Sequence, residues 1–361
     1  MNAETASEHS GGSGPESEHS GGFGPEDSPV QPTHNIPAPG NHTPSGQTHA
    51  EFIEDVPSPR RRKRINNKTM WAFIFIAPAV IFLVFFSFIP ILFSGWISLN
   101  NWDLITPLNK MKFMGTDNYT YLFQRDDIFK AGLRNTFVFT IAGVTINTIL
   151  GLAGALLLNS KIRFRTFWRS IYFLPIVTAP LALGMMWYSL LNKNFGLINN
   201  LLGYLGIPPQ PFLSSPDTAL ACIIGIAVYQ YVGYYIIVST AGLQGIPQEY
   251  YDAAAVDGAS PPQSFWYITL PQLRPVLLFL IVTNTIGALQ VFDLVFATTT
   301  GVAAETSGGG PANSTMVIVL HMYNTAFKFF KMGRASAMAM VLFVIILLIT
   351  LIQLRLLQKR D

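Results

Sequence analysis

Six strongly apolar stretches of this chain carry no charged residue: 69–102, 135–160, 170–192, 218–248, 275–292 and 335–354. Each is about as long as the roughly 17–25 apolar residues that cross a bilayer as one helix. A soluble helical protein does not repeat such windows six times. The pattern predicts an all-α integral membrane protein with six transmembrane helices. The expected spans are Met70 to about Leu99, Thr136 to Asn159, Ser170 to Leu191, Thr218 to Thr240, Pro275 to Ala297 and Ala335 to Leu356. Pro175 and Pro180 predict kinks in the third.

The polar interruption between the fourth and fifth spans, Ile246 to Leu273, is rich in alanine and glycine. Pro247 suits the start of a helix, where a missing N–H costs nothing. Good helix formers follow, including Ala253, Ala254 and Ala255, up to Asp257. Gly258 is the expected left-handed stop. Ser260-Pro-Pro-Gln263 has the capping-box spacing. The second short helix should end near Leu270, because Pro271 disfavours helical geometry in the residue before it. Small residues on one face and a glycine elbow suit a helix pair gripped by another protein, although an ordinary connector has the same outline.

Composition sharpens this picture. Half the residues are hydrophobic and 12% are charged, against roughly 25% in soluble domains. With the N-terminus inside, inner segments hold 14 of the 23 Lys and Arg residues, and the excess before the first span sets the orientation. Both termini and the helix–elbow–helix loop are therefore expected in the cytoplasm. The run Arg60–Arg64 beside a span faces anionic lipid headgroups rather than nucleic acid. Cys222 is the one cysteine, so no intrachain disulfide forms.

The domain organisation follows. Residues 1–69 form a tail, of Gly, Ser, Pro, His and acid up to about residue 59, with a tandem repeat at Ser7–Glu16 and Ser17–Glu26. It has almost nothing to bury and is expected to be disordered. Five histidines fall there (His9, His19, His34, His42 and His49), at irregular spacing on no rigid element, which favours a solvated linker over a metal site. Residues 70–134 hold the first span and an external segment in which Asp117 is the expected N-cap of an amphipathic surface helix. Residues 135–361 form a five-helix core containing the loop 246–273.

Polar residues inside the spans are the candidates for chemistry. The fourth span carries Tyr229, Gln230, Tyr231, Tyr234 and Tyr235. In hydrocarbon each polar group needs a partner. Either these groups bond to neighbouring helices or they form a wall facing a hydroxyl-rich solute, with rings to stack on and hydroxyls to hydrogen-bond. Their crowding mid-span favours the second reading. In the fifth span stand Asn284, Gln290 and Asp293. An ionised Asp at mid-membrane costs about 3 kcal/mol, so Asp293 is expected at the outer end, facing protein or water.

Asp252-Ala253-Ala254, Gly258 four residues later, and Ile268-Thr-Leu270-Pro271 beyond it resemble the EAA loop of ABC-importer permeases. The usual Glu is Asp252 here, the same charge on a shorter arm. Gly115-Thr-Asp-Asn-Tyr119 and Arg134-Asn-Thr136 are similar to carbohydrate importers of the maltose type. So are Gly309-Gly310-Pro311 and Thr315, with Val302 to Ser307 inserted and Arg334 where an aromatic is usual. The resemblance implies a type I importer permease whose loop, through Tyr250, Asp252, Ala253, Ala254, Asp257, Gly258, Ile268, Leu270 and Pro271, docks an ATPase. It implies a second permease subunit, two ATP-binding subunits and an extracytoplasmic solute-binding protein that delivers a sugar. By position it points to Tyr231, Tyr234 and Asn284 as substrate contacts; Gln290 joins them on polarity alone. No Walker A motif, H-E-x-x-H, G-x-S-x-G or paired cysteine is present, so no catalytic, metal or cofactor site is expected. The same machinery carrying glycerol 3-phosphate, or a carrier working without ATP, are the alternatives. The absence of Lys and Arg within the spans argues against an anionic solute.

Overall fold

The computed structural model describes residues 67–159, 165–300 and 308–358. The tail, its repeat and histidines, the Arg60–Arg64 run and the Val302–Ser307 insertion lie outside them. The described residues form a helical bundle in which five helices are long and apolar enough to cross a membrane, and one bent pair makes a sixth.

The first span joins α1 (Asn67–Leu83) to α2 (Ile89–Ser98) through a π turn at Val84–Phe88. Its upper end packs on the last helix, α14 (Met332–Gln358). The rest is bare: Phe75 is 78% exposed, and none of the most apolar window is buried. A two-residue ribbon pairs Asn100–Asn101 (β1) with Lys112–Phe113 (β2). The surface helix α3 (Asp117–Gln124) is short, with Thr116 rather than Asp117 at its N-cap.

The second span, α4 (Asp127–Asn159), starts nine residues before the expected Thr136. Asp126 caps it, accepting the Phe129 N–H at 2.8 Å through Oδ1 and bonding His321 Nε2 at 3.0 Å through Oδ2. Burial pushes the Asp126 carboxyl up. Hydrogen bonds from His321 and the Phe129 N–H, with the charges of His321 and Arg334, outweigh that and hold it below the usual carboxylate range. Arg134 lies within this helix, so charge marked the lipid boundary but not the helix end.

The third span is broken rather than kinked. Helices α5 (Arg165–Val177) and α6 (Pro180–Leu190) meet at 105°. Pro180 cannot donate to the preceding turn and clashes with it, which ends α5. The freed Thr178 carbonyl accepts a long bond, 3.4 Å, from Gln230 Nε2. A short helix, α7 (Leu197–Tyr204), leads to the fourth span, α8 (Ala219–Gln244). Gly151 of α4 sits directly against Tyr235 of α8, where any Cβ would collide with it. Close backbone approach of this kind is how membrane helices gain van der Waals contact.

After α8 come α9 (Gln248–Val256) and α10 (Pro261–Ser264). No break follows at Leu270. A π turn at Phe265–Thr269 carries the helix onward into α11 (Leu270–Leu289), so Pro271 lies inside one continuous rod. The wide turn already departs from i→i−4 bonding, so the missing Pro271 N–H and its ring are accommodated. The fifth span then ends at Leu289, not Ala297. Residues Gln290–Phe292 are non-helical, and α12 (Asp293–Thr299) begins anew. Helix α13 (Ile318–Tyr323) and a π turn at Asn324–Lys328 precede α14. Three apolar clusters hold the bundle. The smallest, Ala155, Leu243 and Leu273, joins α4, α8 and α11 next to the polar loop.

Candidate functional site

Two features stand out, a cavity inside the bundle and the exposed helix pair beneath it. The cavity holds about 210 Å³ between α4, α8, α11 and the unwound Gln290–Phe292 segment. Its polar lining is Asn147, Tyr231, Tyr235, Asn284, Gln290 and Asp293. Unwinding follows from the end of α11, where the Gln290 N–H turns back to the Gly287 carbonyl at 3.1 Å and Phe292 takes φ −140°. That leaves Gln290 and Asp293 at the cavity rather than on a lipid-facing helix. Broken spans commonly place polar groups at transport sites in this way.

Of the residues expected to touch solute, Tyr231, Asn284 and Gln290 are brought together here. Tyr234 is not among the lining residues: it is half-buried and packs edge-on against Tyr235, with ring centroids 6.4 Å apart. The i,i+4 pair Tyr231 and Tyr235 shares the cavity face. Asn284 Nδ2 donates to the Leu280 carbonyl at 2.8 Å. Asn147 was not anticipated. It is 5% exposed, and its Oδ1 has no hydrogen-bond partner among the described residues.

The helix pair is built as a rigid corner. Gly258 takes φ +78°. Its N–H bonds the Ala255 carbonyl at 3.1 Å, and the Ala259 N–H reaches the Ala254 carbonyl at 2.9 Å. These are the two bonds of a Schellman cap. On the other side, the Ser260 N–H donates to Gln263 Oε1 at 2.7 Å, one half of the capping box. Tyr251 Oη and Thr269 Oγ1, 3.0 Å apart, tie the first helix to the π turn. Gln248 Nε2 donates to Asp252 at 3.2 Å.

The corner presents its surface outward. No residue of α9 is buried. Asp252, Ala253, Asp257, Gly258 and Pro271 are exposed; Ala254, Ile268 and Leu270 are half-buried. Tyr250, Val256, Trp266 and Tyr267 are exposed, Val256 by 88%. Large apolar groups held out on a stapled corner mark a contact surface. Leu273, fully buried one turn beyond Leu270, connects that surface to the core.

Residues 143–360 match the family model described as the binding-protein-dependent transport system inner membrane component. The chain belongs to this family. The match begins within the second span and takes in the cavity and the helix pair, which makes the protein a multi-pass membrane permease of a binding-protein-dependent importer. Among its relatives, the probable ABC transporter permease protein y4oQ of Sinorhizobium fredii is 34% identical over 291 residues, 81% of this chain and 90% of that one. The multiple sugar-binding transport system permease protein MsmF of Streptococcus mutans is also 34% identical, over 82% of this chain and 98% of its own. The permease shares its fold with a chain of a bacterial ABC transporter involved in the import of the acidic polysaccharide alginate. The TM-score is 0.69 at 21% identity, covering 82% of this chain and 97% of the other.

Proposed function

We propose that this permease carries a sugar, handed over by an extracytoplasmic solute-binding protein, through the cavity at Tyr231, Asn284, Gln290 and Asn147. Two ATP-binding subunits would drive it, one gripping the corner Tyr250–Pro271, with both chain termini on the same cytoplasmic side. The observation that carries the reading is the stapled, outward-facing corner joined by a continuous helix, Pro261–Leu289, to the cavity. A push on Tyr267 reaches Asn284 through one rod, without a hinge at Pro271, and a push on Tyr250 or Val256 joins that rod through the Tyr251–Thr269 contact. The ATPases' closure on ATP is thereby converted into rocking of the spans.

Two further features support the assembly. The cavity is smaller than the roughly 300–1,000 Å³ of a typical small-molecule site, as suits half of a site completed by a second permease subunit. The bare aromatic length of the first span offers surface for that subunit or for lipid. The name of MsmF and the ring-and-amide lining both favour a sugar. Testing the delivered solute requires the cognate solute-binding protein. Tight binding of a neutral oligosaccharide from a solute panel is expected; tight binding of phosphodiesters and no sugar would overturn the sugar assignment.

A further inference from the structure

We infer that Asp293 makes the cavity an electrostatic filter that admits neutral and cationic groups and turns anionic solutes away. This rests on reading the cavity as the translocation site. Asp293 is the one charged residue lining it. Its side chain has no hydrogen bond or ion pair with any described residue, and the residue is exposed. The remaining polar groups (Asn147, Tyr231, Tyr235, Asn284 and Gln290) are neutral. No Lys or Arg lies in the charge-free stretches of the second to fifth spans to offset the carboxylate.

A carboxylate accepts hydrogen bonds and donates none. Toward a sugar it can accept from adjacent hydroxyls, while the amides of Asn284 and Gln290 supply donors. Toward the anionic group of a phosphate or uronate it offers repulsion, which low-dielectric walls strengthen. Asp293 is held at this point by the unwinding of Gln290–Phe292, which starts a new helix at the cavity edge instead of burying the residue. The residue therefore sets solute class, whereas the neutral groups set fit.

The filter can be read without knowing the solute. A single thiol is introduced as Ala288→Cys, a half-buried cavity-lining position, in a Cys222→Ala background. The full chain is expressed with its partner subunits, and membranes are treated with cationic and anionic methanethiosulfonates of similar size. A reference thiol, Tyr204→Cys, sits at the end of α7 at a position 88% exposed. The cationic-to-anionic rate ratio at the cavity thiol should exceed the reference by about tenfold or more, the low end of focused-field effects. Asp293→Asn, or Asp293→Ser should the first variant assemble poorly, should return the ratio to the reference value. Labelling with no charge preference, or a preference that survives both substitutions, would overturn the filter and leave the translocation site standing. No labelling by either reagent would remove the cavity from the solute path and take both readings with it.

Discussion

Gly258→Val tests the corner most sharply. The native φ of +78° lies in the left-handed region, which costs an L-residue about 1–2 kcal/mol and a β-branched one more. Space inside the chain is not the obstacle, since a Cβ at Gly258 would meet nothing within 4 Å. The strain therefore falls on the two Schellman bonds and not on the bundle. A penalty of about 2 kcal/mol lowers the ratio of native to non-native corner roughly thirtyfold. Membrane insertion and the apolar clusters should be unaffected, and co-purification of the ATP-binding subunits should be lost. Gly258→Asn separates conformation from bulk: asparagine tolerates left-handed geometry, so it should retain most of the association. Val and Asn variants that both co-purify at wild-type stoichiometry would overturn the docking role of the corner. A Val variant that fails to insert would show that the strain is not confined there.

Other expectations follow from particular contacts. Gly151→Ala drives a Cβ into Tyr235, and at about 1–3 kcal/mol for overpacking it should lower the melting temperature in detergent; an unchanged melt would show that α4 and α8 pack less tightly. Asn135 Nδ2 donates to the carbonyls of Asn313 and Met316 at 3.2 and 3.0 Å, so Asn135→Ala should cost about 1–2 kcal/mol and speed hydrogen exchange at 311–316. The depressed Asp126 carboxyl stabilises the fold above the unfolded value near 3.9; that contribution disappears as pH falls through the lower folded value. Asp126→Asn should flatten the acid side of a stability-versus-pH profile, and a profile parallel to wild type would show that the His321 contact contributes nothing.

The spans were legible because charge is excluded from hydrocarbon, so the charge-free windows nearly are the helices. Their ends were less so. Arg134 stands in helical continuation of α4 above the bilayer, where charge no longer conflicts with helix. Pro271 looked like a terminator because local rules take i→i−4 bonding for granted, and the π turn at Phe265–Thr269 suspends that bonding just where the proline needs it. The Schellman corner was readable residue by residue, since Gly258, Ser260 and Gln263 act within their own turn. The cavity was only half readable. Tyr231 and Tyr235 share a face at i,i+4, yet nothing local to α8 says which way the helix is rotated, and Tyr234 was as good a candidate. Asn147 stands alone in a helix of small residues and gives no periodic signal; its lack of a buried partner becomes visible only when α4 meets α8.

This permease should move solute only when its corner is driven by ATP-binding subunits. Reconstitution of the complete assembly in liposomes, with loaded binding protein outside and ATP inside, measures that dependence. Accumulation should require the ATP-binding subunits and ATP together and should vanish with Gly258→Val. Uptake by this chain without those subunits would show that the corner is not where the transport cycle is powered.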